Sequence, residues 1–211
     1  MQLKRWVTDL VDLGALQSGA FRLRLGPVRV RALIDGCIDV LRPDAQAKGL
    51  EIEGGIESGV PTVIQADEMR LRQVLLILLD NAVKVTAQGR IMLAARRGVH
   101  GCGNSASRQP ALLAGAWMEF HVTDTGPGLS EEDQVKILNL FSRMDSANRG
   151  TGLGIALAAR LCVAMGGLLS VESDGHSGST FIVRVPLGLP SEAPASTEAE
   201  LAPAPALPGG A

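Results

Sequence analysis

The chain has 211 residues, 46% hydrophobic and 20% charged, with a net charge of −2. That balance suits one globular domain with a real core plus appendages, and it offers no basic surface for nucleic acid or an anionic membrane. Three widely spaced cysteines (Cys37, Cys102, Cys162) form no C-x-x-C pair, which argues against a disulfide framework or structural zinc and fits a reducing compartment.

Residues 1–18 read as the end of an amphipathic helix, with Leu3, Trp6, Leu10 and Leu13 at 3-4 spacing and Gly14 and Gly19 weakening and ending it. So narrow a stripe pairs with a helix outside the chain or with a second copy; the alternative is a helix folded back on its own domain. Residues 21–25 suggest a short edge strand. Val30–Ala47 is predicted helical, with Leu33, Ile34, Cys37, Ile38 and Leu41 on one face and Pro43 bending or interrupting it. Residues 50–53 and 62–65 read as strands of a hairpin. Asp67 then caps a helix over Glu68–Val85, with Leu71, Val74, Leu75, Leu78 and Ala82 inward.

A strand over 90–96 is followed by a long loop rich in Gly, Ser and Pro (98–115), which reads as an insertion. Next come a strand over 116–123, a turn at 124–128, a short helix from Glu131 and a polar stretch at 142–149. A helix over 153–165 and strands over 168–172 and 180–185 complete the pattern. Residues 188–211 shift to Pro, Ala, Glu and Ser without periodicity and read as a disordered tail or linker. The longest apolar run, 74–79, is far short of the ~18 residues needed to span a bilayer, and the N-terminus lacks the pattern of a signal peptide. The chain therefore reads as soluble, whatever anchors a larger parent carries.

Three segments carry chemistry. Asp124-Thr125-Gly126-Pro127-Gly128 leaves an apolar strand; a carboxylate there can accept from an exocyclic amine, and the glycines let backbone approach a flat ring. Alone, the same pattern also serves as a structural turn. Gly150-Thr151-Gly152-Leu153-Gly154 opens a helix and offers N–H donors at the positive end of its dipole, suited to phosphate. It lacks the Lys-Ser/Thr ending of a P-loop and the preceding strand of a dinucleotide fingerprint. Within Asp80-Asn81-Ala82-Val83-Lys84, Asn81 supplies a neutral oxygen suited to Mg²⁺. Lys84, one turn on, can point at the same phosphates. Asn81 fits either a solvent-facing rim or a pocket edge.

In this order and spacing the three segments resemble the N, G1 and G2 boxes of the GHKL superfamily, specifically the ATP-binding domain of sensor histidine kinases. Asp67-x-x-Arg70-Leu71-x-Gln73-Val74-Leu75 with Asn81-Ala82-x-Lys84-x-Thr86 is similar to the N box, and Phe141-Ser142-Arg143-Met144-Asp145 to the F box. Gly166-Gly167 and Gly178-Ser179-Thr180-Phe181 are similar to the closing strands, and residues 9–19 to the end of the dimerisation hairpin.

The resemblance implies a two-layer α/β sandwich (Bergerat fold) with a mixed, mostly antiparallel sheet, preceded by part of a dimerisation helix. Residues 1–20 would close that hairpin, 21–187 form the catalytic domain and 188–211 a tail or linker. It implies that Asp124 binds the adenine amino group with Thr180 supporting it, and that Asn81 holds Mg²⁺. Lys84 and Arg143 face the phosphates of ATP, although Arg143 also reads as a solvated lid charge. Gly126, Gly128, Gly150, Gly152 and Gly154 hinge and cap a lid over roughly 130–154, with Thr151 and Leu153 in the same loop. The implied partners are a second copy through the N-terminal helix and a response-regulator receiver domain, in a cytoplasmic setting.

Two departures stand out. None of His100, His121 and His176 has the helical setting or acidic neighbour of a phosphoacceptor, so the histidine that receives the phosphoryl group is expected outside this chain. Position 77, one turn before Asn81, is Ile77, where histidine kinases usually have a second Asn and the ATP-hydrolysing relatives a Glu. Without a carboxylate, water activation loses about 10²–10⁴ in rate, which argues against a GHKL ATPase. The expected function is phosphoryl transfer from ATP to histidine and on to a regulator aspartate; the rival is a non-catalytic nucleotide-binding or dimerisation module.

Overall fold

The structure is a computed structural model that describes residues 22–98, 117–142 and 152–187. The expected dimerisation helix, the 98–115 loop beyond Gly98, the polar stretch with Arg143, the residues Gly150 and Thr151, and the 188–211 tail lie outside those residues.

Among the described residues seven strands and four helices follow in the order β1 (Gly26–Arg29), α1 (Val30–Ala47), β2 (Glu51–Ile56), β3 (Val63–Ala66), α2 (Glu68–Val85), β4 (Arg90–Gly98), β5 (Trp117–Asp124), α3 (Glu131–Ser142), α4 (Gly152–Ala164), β6 (Leu168–Ser173) and β7 (Ser179–Pro186). The main sheet has strand order β2-β4-β5-β7-β6; β1 and β3 form a separate antiparallel pair. Only β2 and β4 run parallel; every other pair in the sheet is antiparallel. This is the expected mixed α/β sandwich.

The helices end where local chemistry ends them. Asp67 caps α2 by accepting the Arg70 N–H at 3.1 Å, satisfying one of the orphan donors of the first turn. At its other end, Thr86 donates both its backbone N–H (3.0 Å) and its hydroxyl (2.7 Å) to the Ala82 carbonyl. Lys48, just beyond α1, donates to the carbonyls of Val83 at 2.7 Å and Lys84 at 2.9 Å. A cation at a helix C-terminus both satisfies free carbonyls and meets the negative end of the dipole.

One layer of core lies between the sheet and α1, α2 and α4. Leu33, Ile34 and Leu41 of α1, Leu71, Leu75 and Leu79 of α2, and Leu157 and Leu161 of α4 are buried against Leu93, Phe120, Val122 and Val183. Each such side chain contributes about 1.5–3 kcal/mol of transfer free energy. No helix among the described residues is long and apolar enough to cross a membrane.

Three local expectations are corrected. Residues 22–25 are not strand, and the first strand begins at Gly26. Pro43 does not interrupt α1, which runs unbroken from Val30 to Ala47. The carbonyl freed by its missing N–H is that of Asp39, and both residues are exposed, so water can replace the lost bond. The proposed hairpin does not form either: β2 pairs in parallel with β4, and β3 pairs with β1. A parallel pair needs a long crossover, which β3 and α2 supply, so strands adjacent in sequence part company. Gly54 permits the close approach of α1, because a methyl there would stand 2.7 Å from Ile34 Cγ2 and from Ile38 Cδ1.

Candidate functional site

Asp124 is the last residue of β5 and is only 3% exposed. Its carboxylate accepts the Ser179 hydroxyl at 2.6 Å and the Gly126 N–H at 2.8 Å. A buried carboxylate is costly unless hydrogen-bonded, and these two donors hold it in one orientation. The following turn is fixed by Thr125, whose Oγ1 accepts the Arg90 N–H at 3.0 Å while its own N–H donates to the Arg90 carbonyl at 3.2 Å.

The end of α2 closes one side of this carboxylate. A methyl on Gly126 would stand 2.8 Å from Asp124 Oδ1 and 3.5 Å from both Thr86 Oγ1 and Val85 Cγ2. One turn back, Asn81 carries a buried Nδ2 with no hydrogen-bond partner. Leaving such a group unpaired costs about 1–3 kcal/mol, and a hydrogen-bond acceptor or a rotated amide that places its oxygen there would recover that cost. With Nδ2 unpaired, no bond at that atom opposes the rotation that would exchange it for the oxygen. Among the described residues no cluster of His, Cys, Asp and Glu could cage a metal. An amide oxygen beside phosphates is nonetheless a donor set that Mg²⁺ accepts, since it keeps several waters and few protein ligands.

Lys84 is 58% exposed and bonded to Asp80 at 2.8 Å. Ile77 is buried at 6% and meets the start of α4, where a methyl on Gly154 would stand 3.3 Å from Ile77 Cγ2. The structure thus sets Asp124 and Gly126 against the C-terminal end of α2, and Gly154, in the first turn of α4, against Ile77 about two turns earlier on α2. Gly152 and Leu153 begin that helix. Gly128, with φ of +76°, turns the chain away from Asp124 toward α3.

Thr180 does not support Asp124 as expected. Its hydroxyl pairs with Thr123 at 3.0 Å, on the sheet face opposite the helices, whereas Asp124 pairs in register with Ser179. The support falls to Ser179, 6% exposed. Alternation within β7 held the signal: Phe181, Val183 and Val185 face the core and Arg184 faces away, so position 179 shares the core parity.

A second polar group lies on that outer face. Glu119 accepts from Arg184 Nε at 2.7 Å and lies 2.9 Å from His121 Nε2. The His121 hydrogen bond, then Arg184, pull the Glu119 carboxyl down to about 2 against the cost of burial.

A buried carboxylate at a strand end, a buried unpaired amide nitrogen on α2 and a glycine-opened start of α4 thus lie on the helix side of an α/β sandwich. Residues 66–189, more than half of the chain, match the family described as "Histidine kinase-, DNA gyrase B-, and HSP90-like ATPase", and the chain belongs to that family as a catalytic domain of the histidine-kinase type. It is 29% identical over 189 residues to hybrid signal transduction histidine kinase B of Dictyostelium discoideum, covering 88% of this chain and 9% of that protein. To the signal transduction histidine-protein kinase BarA of Escherichia coli K12 it is 30% identical over 187 residues, covering 87% and 19%. To the sensory/regulatory protein RpfC of Xanthomonas campestris pv. campestris it is 31% identical over 195 residues, covering 90% and 26%. The chain thus spans between about a tenth and a quarter of the length of these relatives. Among solved structures, full-length ShkA in complex with AMPPNP superposes with a TM-score of 0.71 at 34% identity, covering 89% of this chain and 36% of that one. The Acinetobacter baumannii histidine kinase AdeS shares the fold, with a TM-score of 0.64 at 23% identity, covering 88% and 78%.

Proposed function

We propose that the chain presents the γ-phosphoryl group of ATP to a histidine outside this chain, from which it passes to an aspartate of a response-regulator receiver domain. The observation that carries this reading is the Asp124 carboxylate, buried and aimed by Ser179 and Gly126. In it, Asp124 accepts from the adenine amine, and Gly126 leaves room for the ring. Backbone N–H groups of Gly150, Thr151, Gly152, Leu153 and Gly154 meet the phosphates at the positive end of α4. Lys84 reaches the phosphates by leaving Asp80, which is cheap because exposed i,i+4 pairs are worth about 0.3–0.5 kcal/mol. Arg143 adds a second cation.

Asn81 would hold Mg²⁺ through its amide oxygen. When bound, the ion would neutralise negative charge on the phosphates. The protein's own contribution is placement and fixed charge, since a neutral imidazole already carries the attacking lone pair. On this reading residues 1–20 end a dimerisation hairpin that pairs with a second copy, 21–187 are the catalytic domain, 188–211 are a linker, and the setting is cytoplasmic.

The test supplies a histidine-bearing dimerisation domain with γ-labelled ATP and Mg²⁺ and looks for acid-labile phosphate on it. Label that disappears with Asn81→Ala is expected. No label while ATP still binds would leave the second reading, a non-catalytic nucleotide-binding module. Ile77 favours that reading, because an apolar side chain packed toward Gly154 cannot ligate a metal or activate water.

A further inference from the structure

Ser173 closes β6, far in sequence from Asp124, and no role assigned above uses it. Its hydroxyl donates to the Gly178 carbonyl at 2.6 Å and accepts the Leu129 N–H at 2.9 Å and the Gly175 N–H at 3.2 Å. A hydroxyl has one proton and two lone pairs, so every bond it can make is made here. Gln134 of α3 braces the same place: its amide donates to the carbonyls of Ser173 at 2.9 Å and Leu129 at 3.0 Å.

The node joins the two segments that frame Asp124. On one side, Leu129 ends the turn that leaves Asp124. A methyl on Gly128 would stand 2.7 Å from the His176 nitrogen and 2.8 Å from the Gly175 carbonyl carbon, so this turn lies flush against the β6–β7 turn. On the other side, Gly178 has a φ of +103°, and a methyl there would run into the Asp124 carbonyl. The next residue is Ser179, whose hydroxyl holds the Asp124 carboxylate. From Leu129 to Gly178 the Ser173 hydroxyl is the shared partner.

We infer that Ser173 is a positioning residue for the nucleotide site: it pins the start of the 129–134 segment to the Gly178 carbonyl, and so sets Ser179 and Asp124 against each other at the geometry that reads the adenine amine. Gln134 is its brace. The inference rests on the reading of Asp124 as acceptor for that amine. Hydrogen-bond selectivity needs donor and acceptor within a few tenths of an ångström of the optimum. Loosening the node therefore harms recognition of the amine more than binding of the rest of the nucleotide.

The test measures affinities of the 211-residue chain for ATP and for purine riboside triphosphate, which lacks the exocyclic amine. Ser173→Ala should weaken ATP binding about tenfold and the deaminated analogue less than about threefold, with Ser173→Thr restoring the difference. Equal weakening of both nucleotides, or unchanged affinity for ATP, would overturn the inference, because a merely structural role moves both alike. Asp124→Asn is measured alongside. If it abolishes the preference for ATP while Ser173→Ala does not, the inference falls and the adenine reading stands. If it leaves the preference intact, both fall. Should Ser173→Ala fail to fold, Gln134→Leu makes the same comparison: about a threefold loss of preference supports the node, and no loss refutes it.

Discussion

Ser179→Ala and Thr180→Ala, made separately, set adjacent residues of one strand against each other. Ser179 donates a 2.6 Å bond to a carboxylate that is 3% exposed, and is itself 6% exposed. Short hydrogen bonds to a charged acceptor are worth about 1.5–3 kcal/mol. Ser179→Ala leaves the carboxylate with the Gly126 N–H alone, free to turn about its last torsion, and it must be re-ordered when nucleotide binds. Stability should fall by about 1–2 kcal/mol, and the dissociation constant for ATP should rise about 10- to 50-fold. Thr180 meets Thr123 across the outer face at 3.0 Å; such cross-strand pairs contribute about 0.2–1 kcal/mol, and none of that reaches the pocket. Thr180→Ala should leave the ATP dissociation constant within about twofold. Isothermal titration with ATP and Mg²⁺, alongside urea melts, separates affinity from stability. A tenfold loss of affinity in Thr180→Ala with none in Ser179→Ala would refute the assignment and the strand register behind it.

Three further outcomes are expected. Gly178→Ala puts a methyl against the Asp124 carbonyl at a φ of +103°; the backbone must shift, at about 2–4 kcal/mol, and a thermal melt within two degrees of the parent would refute the close approach. Lys48→Met keeps the aliphatic stem but frees the Val83 and Lys84 carbonyls, which should cost about 1–2 kcal/mol in urea unfolding; an unchanged midpoint would mean the cap contributes nothing. The Glu119 carboxyl is held near 2, below its ordinary 4.5, first by His121 and then by Arg184, so its contribution is fully present above pH 4.5 and is lost as pH falls toward 2. The parent should therefore exceed Glu119→Gln by about 1–2 kcal/mol at neutral pH, allowing for solvent screening of a partly exposed group. That margin should shrink below pH 4.5; a constant margin in urea titrations across the range would refute the cause.

Much of this was legible in the sequence, for a physical reason. The bounds of α1 and α2 follow from 3.6-residue apolar spacing and from Asp67, all within one helical turn of the residues they explain. The placing of Asp124 at a strand end needed only an apolar run and a glycine turn. What the sequence could not settle depends on partners far along the chain. Residues 50–53 and 62–65 look like a hairpin because they are neighbours, and the strands they belong to separate because β2 gains a parallel partner in β4 under α1. Ser179 and Thr180 differ by one position, and register alone decides which of them turns toward the carboxylate. The open Nδ2 of Asn81, the Ile77 contact with the start of α4 and the Ser173 node exist only once helices and strands meet. Local propensity determined the elements and the identity of the chemical groups; long-range packing decided which of those groups come to face one another.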